Sequence, residues 1–270
     1  MNTEEIMKLA LELADMKNVP ADSAIHIPGK DIRKVLLCVD AEPAEIMLAK
    51  NLGCDAVIAH HPIGKASLNF HQVFDRHVDY MLAHGIPRDI AEEAVRMLKE
   101  RVALRSHTSI YTHTVAVAER MSMPLLNIHL PCDELMRRTI LAQLDASRIE
   151  RVSDIKLAVE KIPEFKNAET KVQVAYGDLS NEVGRYALVV AAGTNGGYPV
   201  AKVYFDHGIS TVIYLHVNGE DLAKLRADKA KGNLVILGHL AGDSVGLNQL
   251  SDALENKGVE VVKLGIVERN

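Results

Sequence analysis

Short apolar runs alternate along the chain with longer segments of helical periodicity. The clearest of these runs in the first half are KVLLCVD (34–40), AVIAH (56–60) and LLNIHL (125–130), and a helical pattern follows each one. Strands that alternate with helices are typical of α/β layers, because each helix carries the chain back across a largely parallel sheet. We therefore expect an α/β fold with two layered α/β domains.

A chain of 270 residues with a hydrophobic fraction of 48% can bury a sizeable core, and its length fits one large α/β domain or two modest ones. A polar, broken stretch near 145–168 separates two halves of similar rhythm. It predicts a first α/β domain over 1–150 and a second over 151–270. Residues 66–122 have mostly helical patterns and predict a helical insertion in the first domain. The strand-like runs of the second half are KVQVAYG, RYALVVAAG, TVIYLHV, NLVILG and VEVVKLGI.

Charge, hydropathy and cysteine content exclude several classes of protein. The formal net charge is −5 with scattered charges, so there is no strong nucleic-acid signal. No apolar run approaches the roughly 18 residues of a membrane span, and the N-terminus has a helical pattern unlike a signal peptide. The three cysteines form no CxxC pair, which favours a reducing compartment over a disulfide framework. We expect a cytoplasmic protein without membrane association.

The strand predicted over 56–60 ends in two adjacent histidines, His60 and His61, before Pro62. Proline cannot donate to a strand ladder and favours an extended residue before it, so strand pairing should end here. The carboxyl ends of parallel strands form the edge where α/β sheets bind ligands. Both imidazoles can therefore face one crevice or two neighbouring metal ions. Two ordinary histidines bonded to backbone groups are the alternative.

The same arrangement occurs twice more, each time with an aspartate four residues after the histidine. These pairs are His129 with Asp133 and His239 with Asp243. Imidazole with carboxylate suits divalent Zn, Mn, Fe or Co, and a carboxylate can bridge two ions that activate water between them. Both aspartates also precede helical patterns and can equally be helix N-caps. The cap and the ligand roles are compatible, because a cap holds the carboxylate in place.

Two further segments offer chemistry. In SHTSIYTHT, His107 and Tyr111 are four residues apart on a predicted helix, and His113 lies on another face. If the inserted helices cover a cleft, His107 or His113 can act as a general acid or contact a substrate; ordinary helix histidines are the alternative. The glycine-rich AAGTNGG (191–197) can hold an anion on backbone N–H groups, or be an ordinary tight turn.

The segment IRKVLLCVDAEPAEIMLAKNLGCDAVIAHHPIG (32–64) resembles the amino-terminal signature of the Nif-three-like (NGG-interacting factor three) proteins. Many of these are described as type-two GTP cyclohydrolase I homologues. The resemblance continues over 124–145 with a His-x-x-x-Asp motif, and over 186–247 with a Gly-His-x-x-x-acid motif. Asp243 stands where the family usually has Glu. The family's Trp-Asp-Asn-x-Gly type stretch is replaced by PADSAIHIPGKD.

The resemblance implies a dinuclear metal centre in the cleft between two α/β domains. Its implied ligands to two divalent ions are His60, His61, Asp133, His239 and Asp243. By the same resemblance, His129 orients a ligand or a bound water, and the chain assembles as a ring, commonly a hexamer. Zn, Mn, Fe and Co all remain open as the metal.

The chemistry that this pattern favours is metal-assisted hydrolysis of a small phosphorylated or nucleotide-like molecule by a metal-activated water. The candidate catalytic residues are His129 and His107. The alternative is a non-catalytic metal carrier or interaction scaffold. Turnover that depends on bound metal separates the enzyme from the carrier.

Overall fold

The computed structural model describes residues 1–269, in which strands and helices alternate as expected. The strands are β1 (Ala24–Ile27), β2 (Lys34–Cys38), β3 (Ala56–Ala59), β4 (Leu125–Asn127), β5 (Gln173–Tyr176), β6 (Tyr186–Leu188), β7 (Thr211–Tyr214), β8 (Asn233–Ile236) and β9 (Glu260–Leu264). The helices are α1 (Thr3–Leu13), α2 (Pro43–Asn51), α3 (Gly64–Asn69), α4 (Asp75–Ala83), α5 (Arg88–His107), α6 (His113–Arg120), α7 (Leu130–Asp145), α8 (Val152–Val159), α9 (Pro163–Asn167), α10 (Gly197–Asp206), α11 (Gly219–Asp228) and α12 (His239–Asn256). A 3₁₀ helix spans Phe70–Phe74.

The strands form two mostly parallel sheets, which confirms the expected α/β class. The first has the order β1-β4-β3-β2-β9, with only the edge strand β1 antiparallel to its neighbour. The second has the order β5-β8-β7-β6, with β5 antiparallel at its edge. Strand β9 pairs with β2, so the end of the chain completes the first sheet rather than the second.

The first sheet is covered on both faces, as the unbroken apolar character of its parallel strands requires. Alternate residues along β2 enter different cores, because successive side chains on a strand point to opposite faces. Val35 and Leu37 pack in a cluster with α1 and α12, whereas Leu36 and Cys38 pack in a cluster with α2 and α6. This three-layer arrangement fixes the strand ends on which the histidines lie.

The segment over 66–122 contains most of α3, the 3₁₀ helix and α4–α6, and its role as an insertion in a first domain stays a prediction. Two helices begin earlier than expected. Helix α7 begins at Leu130 and α12 at His239, so Asp133 and Asp243 lie inside helices near their amino ends. The short edge strand β1 was not predicted. Within residues 1–269, every helix is too short or too polar to span a membrane.

The described chain divides into two compact units, each discontinuous in sequence. Unit 1 contains Met1–Val73, Val102–Met136 and Asp243–Ile266. Unit 2 contains Phe74–Arg101, Arg137–Gly242 and the residues from Val267. The division into domains over 1–150 and 151–270 stays a prediction.

Candidate metal centre

Five residues of unit 1 that the sequence singles out lie together: His60, His61, His129, Asp133 and Asp243. The His60 ring centroid is 5.3 Å from that of His61 and 4.7 Å from that of His129. All but the half-buried His61 are buried. Their ligand atoms form groups within 4.8 Å of one another, one of three histidines and one of His60 with both aspartates.

Strand order explains how distant segments meet here. Strands β3 and β4 are parallel neighbours, so His60–His61 and His129, which follow them, emerge at the same edge of the sheet. Asp133 comes from the first turn of α7, where a carboxylate is favoured by the helix dipole, and Asp243 lies one turn into α12. The expectation of a shared strand edge therefore holds for these residues.

A glycine lets α12 approach α7 closely enough to bring the two aspartates together. A Cβ atom on Gly246 would lie 2.1 Å from the backbone oxygen of Cys132. Gly246 is three residues after Asp243, and Cys132 immediately precedes Asp133. The backbone contact at Gly246 thus sets the spacing of both carboxylates.

Each histidine of the cluster uses its Nδ1 atom for a bond within unit 1. His60 Nδ1 lies 3.1 Å from the carbonyl oxygen of Ile128, His61 Nδ1 2.7 Å from Asp40, and His129 Nδ1 2.7 Å from Asp22. A carbonyl or carboxylate partner requires a protonated Nδ1. The lone pair is therefore on Nε2 in each neutral ring, as in metal-bound histidines whose other nitrogen donates to a carboxylate or carbonyl.

The carboxylates face the Nε2 atoms of different histidines. One oxygen of Asp243, Oδ1, lies 3.6 Å from His60 Nε2, and the other, Oδ2, lies 3.3 Å from His61 Nε2. Asp133 Oδ1 lies 3.3 Å from His60 Nε2, and Asp133 Oδ2 lies 3.7 Å from His129 Nδ1. His60 Nε2 is thus flanked by oxygen atoms from two helices.

The charges of the aspartates dominate the electrostatics of the cluster. Burial of His60 opposes its protonation, but the charge of Asp243 and the contacts with Asp133 and Asp243 outweigh it and raise the pKa of His60 well above 6.5. His61 is similar: burial opposes protonation, and the contact with Asp243 is the largest of the effects that raise its pKa. The cluster therefore attracts positive charge strongly.

The residues fit a divalent metal ion. His60 Nε2 is buried and makes no hydrogen bond within residues 1–269, although it lies near two carboxylates. A buried nitrogen without a hydrogen bond is costly, and a coordinated cation would compensate for it. Imidazole nitrogen and carboxylate oxygen also form the ligand set preferred by the divalent ions expected above.

The remaining predicted ligand, His239, belongs to unit 2. It is the exposed first residue of α12, one turn before Asp243 on the same helix. Its ring centroid lies 4.8 Å from that of His216, and His216 Nδ1 lies 3.1 Å from Asn195 Nδ2. Asn195 Oδ1 accepts a hydrogen bond from the N–H of Gly197, so the other end of this amide is its nitrogen, Nδ2. That nitrogen donates to His216 Nδ1, and the proton of the neutral His216 ring is therefore on Nε2.

The glycine-rich loop over 191–197 holds a side chain of the protein against the start of α10. A Cβ atom on Gly197 would lie 2.7 Å from a carboxylate oxygen of Asp221, which is buried. Asp221 also accepts a hydrogen bond from the side chain of Asn218. An internal carboxylate therefore lies beside Gly197, which favours the ordinary turn over an anion site at this residue.

His107 is the exposed last residue of α5, and its catalytic role stays a prediction. Sequence reasoning missed the two carboxylates that hold the histidines, Asp22 and Asp40. Asp22 is fully buried and lies in the stretch taken as a departure from the family signature. Asp40 follows β2 at the same edge as His60, so the strand-end argument applied to VLLCVD predicts it as well.

The fold and the cluster define an α/β protein whose buried histidine and aspartate side chains can hold a metal ion. The profile of the Duf34/NIF3 (NGG1p interacting factor 3) family matches residues 4–269. The chain belongs to this family, which confirms the resemblance drawn from its sequence.

Solved structures agree with this assignment. A NIF3 superfamily protein from Sphaerobacter thermophilus is 44% identical, with a TM-score of 0.95 and 98% coverage of each chain. Reduced HcgD from Methanocaldococcus jannaschii (13% identity, TM-score 0.62) covers 98% of each chain. TTHA1606 from Thermus thermophilus (15% identity, TM-score 0.56) also covers 98% of each chain. The last two show the shared fold alone. No functionally curated protein matches the sequence.

Proposed function

We propose that the centre binds two divalent metal ions and that the protein is a hydrolase of a small phosphorylated or nucleotide-like molecule. One observation carries this proposal: the two oxygens of Asp243 face the Nε2 atoms of two different histidines, His60 and His61. A carboxylate in that position can bridge two ions. When bound, such a pair supplies an activated water and stabilises negative charge that develops on the substrate.

The donor atoms divide into two sets. His60, Asp133 and Asp243 would hold one ion, because His60 Nε2 lies between oxygen atoms of both aspartates. His61 and Asp243 would hold the other. We assign His239 to the second ion as well, on the family resemblance and its position one turn before Asp243. The side chains of Asp40 and Asp22 orient the rings from behind.

His129 is the candidate for proton transfer beside the ions. Asp22 keeps Nδ1 of His129 protonated, so Nε2 of His129 can accept a proton. Once protonated, Nε2 can donate a hydrogen bond to a substrate oxygen. His107 is a second candidate, as a general acid or a substrate contact. The proposed substrate class rests on the suitability of paired ions for phosphate oxygens.

The test is metal analysis of protein purified without chelator, followed by a screen of phosphomonoesters, phosphodiesters and nucleotides. We expect about two divalent ions per chain and turnover that disappears on chelation and returns with metal. His60→Ala and Asp243→Asn should each lose bound metal and turnover. His207→Ala is the matched control, since His207 bonds only to the backbone of its own helix in the described structure.

The results separate the alternatives. Two ions with no turnover on any substrate would favour the metal carrier over the hydrolase. Less than one ion per chain after reconstitution would overturn both. Assembly into a ring of six, implied by the family resemblance, and a cytoplasmic location, expected from the sequence, stay predictions. Light scattering of the purified protein tests the first, and fractionation of cells tests the second.

A further inference from the structure

A pocket of about 380 Å³ in unit 1 shares no residue with the histidine–carboxylate cluster. Its walls come from three elements: strand β1, the first residues of α3, and the segment from Tyr111 to Glu119 that includes most of α6. The volume is within the range of small-molecule sites, about 300–1,000 Å³. We call it the His26 pocket, after the histidine that β1 contributes.

A β-bulge places His26 in this pocket. Ile25 pairs with Leu126 and Ile27 pairs with the adjacent Leu125, so His26 is an extra residue on β1. Bulges re-aim side chains and are common beside binding sites. Here the bulge occurs in an edge strand of only four residues, Ala24–Ile27.

The hydrogen bonds of His26 determine what its ring offers to a ligand. Asn127 donates from Nδ2 to the carbonyl oxygen of Asp22 at 2.7 Å, so its Oδ1 faces His26 Nε2 at 3.0 Å as an acceptor. His26 therefore donates from Nε2, and its Nδ1 carries a lone pair. Burial lowers the pKa of His26, which favours this neutral form. No residue within 1–269 bonds His26 Nδ1.

A glycine keeps the space beside that lone pair open. A Cβ atom on Gly64 would lie 2.9 Å from His26 Nδ1 and 3.0 Å from a methyl carbon of Val115. Gly64 also has a φ of +53°, a conformation that residues with a side chain rarely adopt. The open volume and the backbone conformation thus both depend on glycine at this position.

The rest of the wall combines opposite charges with an apolar surface. Lys65, Glu119 and Tyr111 are exposed at the rim. Ile25 and Val115 supply apolar surface. The pocket therefore presents the acceptors His26 Nδ1 and the Glu119 carboxylate and the cationic donor Lys65, beside the hydroxyls of Tyr111 and Thr112.

We propose that the His26 pocket binds a free α-amino acid with an apolar side chain. The ammonium group donates to His26 Nδ1 and Glu119, the carboxylate pairs with Lys65, and the apolar side chain lies against Ile25 and Val115. Each half of the ligand thus meets the opposite charge or a matching hydrogen-bond partner. This inference is independent of metal binding and of the proposed hydrolase.

The test is isothermal titration calorimetry of the full chain with three probes that share one carbon skeleton. These are L-leucine, isoamylamine, which lacks the carboxylate, and 4-methylpentanoate, which lacks the ammonium. We expect saturable 1:1 binding of L-leucine, at least about tenfold tighter than either analogue, because each lost charge leaves a partner unmatched. Binding should persist after chelation, which separates the pocket from amino acid bound to metal.

Variants locate the site. His26→Phe and Lys65→Met should each weaken L-leucine binding by about tenfold or more, whereas Lys30→Met, an exposed lysine outside the pocket, should leave it unchanged. Circular dichroism confirms that each variant is folded. Equal affinity for all three probes, no saturation by L-leucine in wild-type protein, or full affinity in folded His26→Phe would each overturn the proposal.

Discussion

Gly246→Ala should separate two helices and disable the metal centre without touching any ligand. The new Cβ would lie 2.1 Å from the carbonyl oxygen of Cys132, whereas real Cβ atoms essentially never approach within 3.0 Å. The obstacle is backbone rather than a flexible side chain, so α7 and α12 must move apart by roughly 1 Å. Asp133 follows Cys132 directly and Asp243 is less than one turn from Gly246, so the spacing of both carboxylates changes with that movement.

The expected loss follows from this shift. Overpacking of this kind costs about 1–3 kcal/mol of unfolding free energy, which outweighs the gain of up to about 1 kcal/mol that Gly→Ala brings within a helix. A misplacement of about 1 Å can reduce function by about 100-fold, and we expect a loss of that order in metal affinity. Urea unfolding measures the first effect, and competition with a chelator of known affinity measures the second.

Gly219→Ala is the matched control, because Gly219 is also helical and a Cβ there meets nothing within 4 Å. It should keep wild-type metal affinity and unfold at the same or higher urea concentration. Wild-type metal stoichiometry and affinity in Gly246→Ala would refute the argument that the contact with Cys132 sets the carboxylate spacing.

Three further predictions concern protons and ring orientation. Asp40→Asn should weaken metal binding by about 10–100-fold by loosening the proposed ligand His61. Asp178→Asn, exposed and with its side chain bonded only to Ser180 in the described structure, should leave metal binding unchanged; equal affinities of the two variants would exclude an orienting role for Asp40. Metal affinity should rise with pH, because the neighbouring aspartates raise the pKa of His60 and a metal ion must displace the proton on that ring. A metal affinity that stays constant from pH 6 to 8 in competition titrations would contradict this. Burial in the folded protein lowers the pKa of His77 to about 4, below its ordinary value of 6.5. The unfolded chain therefore binds this proton more tightly, and the free energy of unfolding should fall as the pH falls from 6.5 to 4. Urea unfolding should show this slope in wild type and a shallower one in His77→Leu.

The sequence predicted the class of fold because it depends on alternation that is visible in one dimension. The buried runs KVLLC and AVIA and the helices between them carry that pattern directly. Strand β1 lacks it, since its four residues are all half-buried and antiparallel at an edge. The position of β9 beside β2 could not be predicted, because neither run specifies its partner.

The candidate centre was predictable to the same extent. The strand-end histidines and the aspartates four residues later lie in recognisable patterns, and the structure brings five of them together. Asp22 has no such pattern: it is a single buried carboxylate in a loop, and only its contact with His129 reveals it. Gly246 is similar, since its importance comes from the backbone oxygen of Cys132, distant in sequence, which a Cβ at position 246 would approach to 2.1 Å.

The discontinuity of unit 1 has a consequence for the order of events during synthesis. His60, His61 and Asp133 leave the ribosome more than 100 residues before Asp243, which belongs to the last segment of the unit, Asp243–Ile266. That segment also supplies most of helix α12, which covers one face of the first sheet, and the strand β9 that closes its edge. A growing chain therefore exposes an incomplete set of ligands until the segment from Asp243 has been synthesised.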